Sequence, residues 1–315
     1  MRKANNQEHL EGRVYQHTLE VKVVNNPTSP NNGKEFIAGV LDIAVDEEGL
    51  NVIPVHFTYV TEMTNSGKKN ATYGVLKRII DENKLWTTVG KDEAFKVKID
   101  TALGLNDFPT QDGTMVSVKQ NEGGFVSIVN ELCDINERNT FNVDMLITSV
   151  KRTEKDEEKH IDNDFVTIRG AIFNFRNALL PLDFIVKNTE GMKYFEDLGA
   201  SGAEPVYTRV WGRIECFTKT TTVQEETAFG EAAVRTYERK TKEWVVTGTA
   251  KVPYDFGDEN ILTEDELKKA MQDRETYLAD VKKRAEDYRA SKATTSTSTT
   301  PKANSTAVKA ADFNF

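Results

Sequence analysis

Cysteine is scarce in this 315-residue chain, with only Cys133 and Cys216, in separate segments. A disulfide framework is therefore excluded as an organising principle, and each cysteine reads as a buried free thiol. Histidine is nearly as rare. His9, His17, His56 and His160 are scattered, and none stands beside another His or Cys at zinc-ligand spacing. No apolar run approaches the ~20 residues that a bilayer-spanning helix needs. Residues 1–6 turn polar at once, without an apolar stretch of the signal-peptide kind. A cytoplasmic protein with no membrane partner is expected. The phosphate-loop, dinucleotide and nucleophile-elbow fingerprints are all missing. Gly67-Lys68-Lys69 lacks the earlier glycine that a phosphate loop requires. The acid pair Asp162/Asp164 reads as a polar turn, because no third carboxylate is placed to help hold a divalent ion. No catalytic residue, metal or cofactor is assigned, and no enzyme is expected.

A basic excess is missing as well. Lys and Arg number 41 against 50 Asp and Glu, for a net charge of −9. That excludes a uniformly basic coat but permits a local basic groove, since attraction depends on where charge lies. Much of the acid sits in Asp46-Glu47-Glu48 and Asp156-Glu157-Glu158, which read as solvated loops.

What the chain does contain is strand alternation. Residues 1–11 are polar and expected to be loose. Residues 14–23, 35–45 and 50–60 alternate as strands, with Ile37, Leu41 and Ile43, then Ile53, Val55 and Phe57, in phase. A helical pattern follows at 73–85, with Val75, Leu76, Ile79 and Ile80 at helical spacing. Strands resume at 95–99, and 114–120 with 124–129 reads as a hairpin around Asn121-Glu122-Gly123. Three strands, a helix and further strands is the order of an OB-fold, a small closed Greek-key barrel. The order recurs, with strands at 140–150, 165–175 and 182–186, a short helix at 191–198, and strands at 207–216 and 234–247. The expected architecture is mainly β with some α, as two OB-like barrels in tandem. Its segments are a flexible 1–11, barrels at 12–135 and 136–258, a helix at 262–290, and a disordered tail at 291–315.

The strand at 207–216 carries the sharpest signal. One face holds Thr208, Val210, Gly212, Ile214 and Cys216, and reads as core. The other holds Tyr207, Arg209, Trp211 and Arg213. Burying two arginines without partners would cost several kcal/mol in order of magnitude, so this face should meet solvent or a groove. Rings interleaved with fixed positive charge suit single-stranded nucleic acid, because rings stack on bases and Arg neutralises phosphates. A glycine inside a strand often marks a bulge, and one at Gly212 would flip Arg213 to the other face. Arg235, Tyr237 and Arg239 repeat the alternation, and Arg169, Lys96 and Lys98 are further outward cations. Phe173 and Phe175 share a face with Arg169 and read as core. The same stripe also fits a protein interface, which Tyr, Trp and Arg favour.

At the C-terminal end, Thr263 and Glu266 form a capping box. Leu267, Met271, Arg274, Leu278, Val281, Ala285 and Tyr288 then trace a coiled-coil-like seam interrupted by Arg274. That seam serves either packing on the chain's own barrel or homo-oligomerisation. A Ser/Thr/Ala/Lys-rich segment follows and closes on Asp312-Phe313-Asn314-Phe315.

Taken together, the stripe, the element order and the terminal peptide resemble bacteriophage-type single-stranded DNA-binding proteins built on OB-folds. The resemblance implies a protein that coats and protects unpaired DNA in replication, recombination or repair, in a host's cytoplasm if phage-encoded. It implies that Asp312, Phe313 and Phe315 dock replication or recombination proteins. Compared with the bacterial tail peptide, this one lacks the proline and the dense acid run, and its tail carries Lys292, Lys302 and Lys309. RNA binding is a variant, since stacking alone discriminates poorly between sugars. The rival from another class is a virion or assembly scaffold, using the stripe as a protein interface. A metal-dependent nuclease is the third reading.

Overall fold

A computed structural model describes residues 4–64, 66–156, 161–225, 233–255 and 262–296, with the side chains of 219–225, 233–240 and 291–296 outside the described set. The first half forms β1 (Asn6–His17), β2 (Glu20–Val23), β3 (Glu35–Ala44), β4 (Val52–Thr61), α1 (Ala71–Glu82), a short α2 (Trp86–Val89), β5 (Lys96–Thr101), β6 (Leu103–Pro109), β7 (Met115–Glu122) and β8 (Phe125–Ile128). Strand β1 pairs antiparallel with β3 and β5, β3 with β4, and β5 with β8, while β4 pairs parallel with β7. The chain runs from β7 into β8, so the ring closes as a five-stranded barrel whose fifth strand is in two pieces. The hairpin expected around Asn121-Glu122-Gly123 is therefore a corner, with β7 paired to β4 and β6, and β8 to β5. Its backbone passes so close to β5 that a Cβ on Gly124 would collide with the Asp100 carbonyl oxygen. Helix α1 starts at Asn70, whose side chain accepts from the Thr72 N–H, and stops at Asn83 in the left-handed conformation. Its buried Tyr73, Leu76 and Ile79 close one end of the barrel core of Ile37, Leu41, Ile53 and Val97.

The second half repeats the ring with β9 (Asn139–Thr153), β10 (Phe165–Phe173), β11 (Leu179–Val186), α3 (Thr189–Asp197), β12 (Val206–Glu225) and β13 (Ala233–Thr249). Strand β9 pairs with β10 and β12, β10 with β11, and β12 with β13, all antiparallel, while β11 pairs parallel with β13. Its core centres on Phe184, whose ring lies 5.3 Å from Phe141 and 5.5 Å from the fully buried Trp244. In both rings the third and fifth strands are the parallel pair and the helix follows the third strand.

The rings are joined by β1, whose residues from Asn6 to Leu10 also pair with β9. The result is one 13-stranded sheet. The expectation of a loose 1–11 segment is corrected here, since its polar side chains complete backbone pairing. Asn5 Nδ2 donates to the Asn142 carbonyl, while Asn6 Nδ2 donates to the Leu103 carbonyl and its Oδ1 accepts the Leu103 N–H. Glu47, expected in a solvated loop, accepts from Arg13 at 3.0 Å and Arg138 at 2.8 Å. The Arg138 hydrogen bond, aided by Arg13, holds its carboxyl below the usual range. Two compact units result, one of Met1–Asn106 with Val118–Arg274, the other of Asp107–Ser117 with the chain from Glu275 onward. The expected domain boundary at 135/136 falls inside the first unit, which contains both rings.

The last helix, α4 (Glu264–Ser296), opens on the anticipated capping box, with Glu266 N–H donating to Thr263 Oγ1 and Thr263 N–H to Glu266 Oε2. It continues past the expected end at 290. In the first unit its Leu267 and Ala270 pack with Tyr207, Phe173 and Leu262. In the second unit Arg289 donates to the carbonyls of Pro109 and Thr110. Among the described residues no helix is long and apolar enough to cross a membrane.

Candidate functional site

Strand β12 keeps its alternation from Thr208 to Ile214. Thr208, Val210, Gly212 and Ile214 are buried. The irregularity lies opposite Trp211 and Gly212, where the register on β13 jumps from Gly248 to Val246 and leaves Thr247 as the extra residue. Arg213 therefore stays on the Trp211 face. Gly212 is needed for another reason, because a Cβ there would collide with the Val245 carbonyl oxygen.

The four stripe residues have different fates. Tyr207 is 4% exposed, with its ring 6.5 Å from Phe173 and 5.2 Å from Tyr254. The chain after β13 folds back over this end, and Tyr254 N–H donates to the Tyr207 carbonyl. No face of Tyr207 is left for a base, which corrects its reading as a stacking ring. Arg209 Nε donates at 3.0 Å to Oδ1 of the buried Asp144, which also accepts from Tyr254 Oη, while its Oδ2 takes the Asn5 N–H. The hydrogen bond to Asp144 raises the Arg209 pKa, and its charge is matched internally. Trp211 is 40% exposed, with its indole lying against Gly248. Arg213 is half-buried and donates to Asn136 Oδ1 at 2.9 Å.

Other expected residues are dispersed. Arg169 is exposed on β10 opposite Asp183 of β11. Lys96 donates to the Asn130 carbonyl, and Lys98 lies 3.6 Å from Asp100. Arg235, Tyr237 and Arg239 are paired in the β13 backbone with Val223, Thr221 and Lys219, and their side chains lie outside the described residues. Asp312, Phe313 and Phe315 lie outside the described residues altogether.

Trp211 and Arg213 open instead onto a cleft of about 890 Å³ between the two rings. Two further aromatics line it. Phe125, at the start of β8, is 82% exposed, and Phe175, in the β10–β11 turn, is 64% exposed. The Phe175 ring has the Arg176 guanidinium 5.0 Å from its centroid. That turn is fixed by Asn174 Oδ1, which accepts the N–H groups of Arg176 and Ala178. Arg213 supplies a guanidinium to the lining and His9 an imidazole, beside the carboxyl groups of Glu8, Asp100 and Glu122. Burial raises the Glu122 carboxyl above its ordinary value. The arrangement presents three flat rings, each anchored on a different element, with a guanidinium between strands of the two barrels.

Phe125 escapes the sequence pattern because it falls in phase with a strand, and Phe175 reads as core when the 165–175 strand is extended to it, whereas β10 ends at Phe173. The available signals were the Gly123-Gly124 corner before Phe125 and the Asn174/Asn177 turn residues around Phe175. His9 lies in the polar 1–11 segment, whose sequence carries no strand signal although the structure places it in β1.

A family model described as YorF matches residues 5–284. No curated protein matches the sequence. Nine solved chains match in structure. One is a deletion mutant of the single-stranded DNA-binding protein from Thermus aquaticus, at 12% identity and a TM-score of 0.46, covering 82% of this chain and 100% of that one.

Proposed function

The chain belongs to the YorF family, and we propose that it binds single-stranded DNA in the cleft between its two barrels. The observation that carries this reading is the convergence of Trp211, Phe125 and Phe175 on one cleft beside Arg213. Single exposed rings are ordinary, but several gathered on one concave surface fit a binding site. Unpaired bases have the flat apolar faces that match them, and a duplex keeps those faces stacked inside. In this reading Arg213, which donates to Asn136, meets a phosphate or a base plane. The protein performs no chemistry in this reading. It covers unpaired DNA during replication, recombination or repair, and its terminal Asp312, Phe313 and Phe315 recruit partners.

The test is a titration of fluorescent oligo-dT over a range of salt, against duplex DNA of equal length. Preferential single-strand binding that weakens with salt is expected, with quenching of Trp211 fluorescence. The buried Trp244 should respond little. Equal affinity for duplex, or none at low salt, overturns the reading. One observation favours a second reading, in which the cleft is a protein interface. Asp100 and Glu122 lie in the same lining as the rings and would suit a basic partner segment. That reading expects stoichiometric assembly without nucleic acid.

A further inference from the structure

We propose that His9, Glu11 and Cys133 form a site for one divalent transition-metal ion of the zinc class. The proposal is independent of DNA binding. Strand alternation places His9 and Glu11 on one face of β1, and the segment between β8 and β9 brings Cys133 over that face. A ligand atom from each, an imidazole nitrogen, a carboxylate oxygen and the thiol sulfur, lies within 4.8 Å of the other two.

Three features orient these atoms for an ion. First, His9 Nδ1 lies 2.7 Å from Asp100 Oδ1. A carboxylate accepts, so Nδ1 donates to Asp100, and Nε2 is the nitrogen turned towards Glu11. Carboxylate–histidine pairs of this kind support metal-bound histidines generally. Second, Glu11 is buried, and its Oε1 accepts the Cys133 backbone N–H at 2.6 Å. That bond ties the carboxylate to the cysteine's own backbone and leaves Oε2 facing His9. Third, Glu11 Oε2 and His9 Nε2 face each other across 3.8 Å. Both atoms are metal-ligand types, and an ion between them would take one bond from each. Two metal–ligand bonds of ~2.0–2.1 Å at a tetrahedral angle separate the ligand atoms by about 3.4 Å. Closure of this pair by a few tenths of an ångström reaches that spacing, and the Cys133 sulfur, within 4.8 Å of both, would come in by up to about 1 Å through side-chain rotation.

A mixed nitrogen, oxygen and sulfur set selects zinc-class ions over magnesium or calcium, which prefer oxygen alone. Three protein ligands leave a fourth position for water. The ion would pin the 129–138 segment to β1. That segment carries Asn136, the partner of Arg213 in the cleft.

The experiment uses the full chain, stripped with a chelator and titrated with Zn²⁺ against a chromophoric competitor, then with Co²⁺ for absorption. The expected result is one ion per chain and a thiolate-to-cobalt charge-transfer band. Cys133→Ser should abolish the band, and His9→Gln should lower Zn²⁺ affinity at least tenfold. Asp100→Asn removes no ligand and should weaken binding by about 10- to 100-fold. Circular dichroism confirms that each variant is folded. If Glu11→Gln fails to fold, the cobalt spectrum of the unaltered chain still decides the thiolate contact. Sub-stoichiometric uptake, affinity unchanged in Cys133→Ser or His9→Gln, or a band lost in Cys216→Ser but kept in Cys133→Ser overturns the proposal.

Discussion

Truncating Trp211 to alanine isolates the stacking contribution. The indole rests against Gly248 and leaves 40% of the residue open to the cleft. A base stacked on an exposed ring is worth ~1–3 kcal/mol. At about 1.4 kcal/mol per tenfold change, Trp211→Ala should weaken oligo-dT binding roughly 5- to 150-fold. Stability should fall by less than the ~3–5 kcal/mol of a fully buried Trp→Ala change, because much of the ring already meets water. The salt dependence of binding should not change, since an indole neutralises no phosphate. Phe125→Ala is the cleaner companion. At 82% exposure the ring contributes little to folding, so affinity should drop with no loss of stability. Anisotropy with labelled oligo-dT at fixed salt, run beside urea denaturation, measures both quantities. Affinities within twofold of the unaltered chain for both folded variants would refute the cleft as the stacking site.

Arg213→Gln should weaken binding and reduce the log–log salt slope by about 0.7 if the guanidinium meets one phosphate. An unchanged slope would assign Arg213 to a base or to Asn136 alone. Gly212→Ala drives a methyl into the Val245 carbonyl oxygen and should destabilise the chain by ~1–3 kcal/mol, read from the urea midpoint. Asp144→Ala removes the carboxylate that accepts from Arg209, Tyr254 Oη and the Asn5 N–H. Because Arg209 is partly exposed, a loss of about 2 kcal/mol is expected, rather than the ~3–5 kcal/mol of a fully buried pair. Burial pushes the Glu8 carboxyl well above its ordinary value of 4.5. The folded chain thus holds a proton that the unfolded chain gives up. Glu8 favours folding below pH ~4.5, and that contribution is lost as pH rises through its folded value. Glu8→Gln should therefore raise the melting temperature relative to the unaltered chain by an amount that grows with pH. A constant difference across that range would show that Glu8 does not titrate as described.

Much of the fold was legible in the sequence because each ring obeys a local rule. Ile53, Val55 and Phe57 are buried and alternate with the less buried Pro54, His56 and Thr58, and a strand with one buried face must alternate that way. Thr263 and Glu266 announce a helix start because their hydrogen bonds are local. The order of strands and helices in both barrels followed from such patterns. Pairing partners did not. A strand's sequence does not say which neighbour it will meet, so the split of the fifth strand at Gly123-Gly124 and the β1–β9 junction were decided by contacts far apart in the chain.

The candidate site divides in the same way. Periodicity determined that Tyr207, Arg209, Trp211 and Arg213 share a face. Only the tertiary structure decided what covers each. Tyr254 and the start of α4 close over Tyr207, Asp144 from β9 takes up Arg209, and the neighbouring barrel leaves Trp211 and Arg213 at the mouth of a cleft. Phe125 joins them from a different ring, about ninety residues away along the chain. Local sequence sets which way a side chain points, because backbone geometry fixes that within a few residues. Whether the space it points into is filled depends on segments that the alternation does not describe.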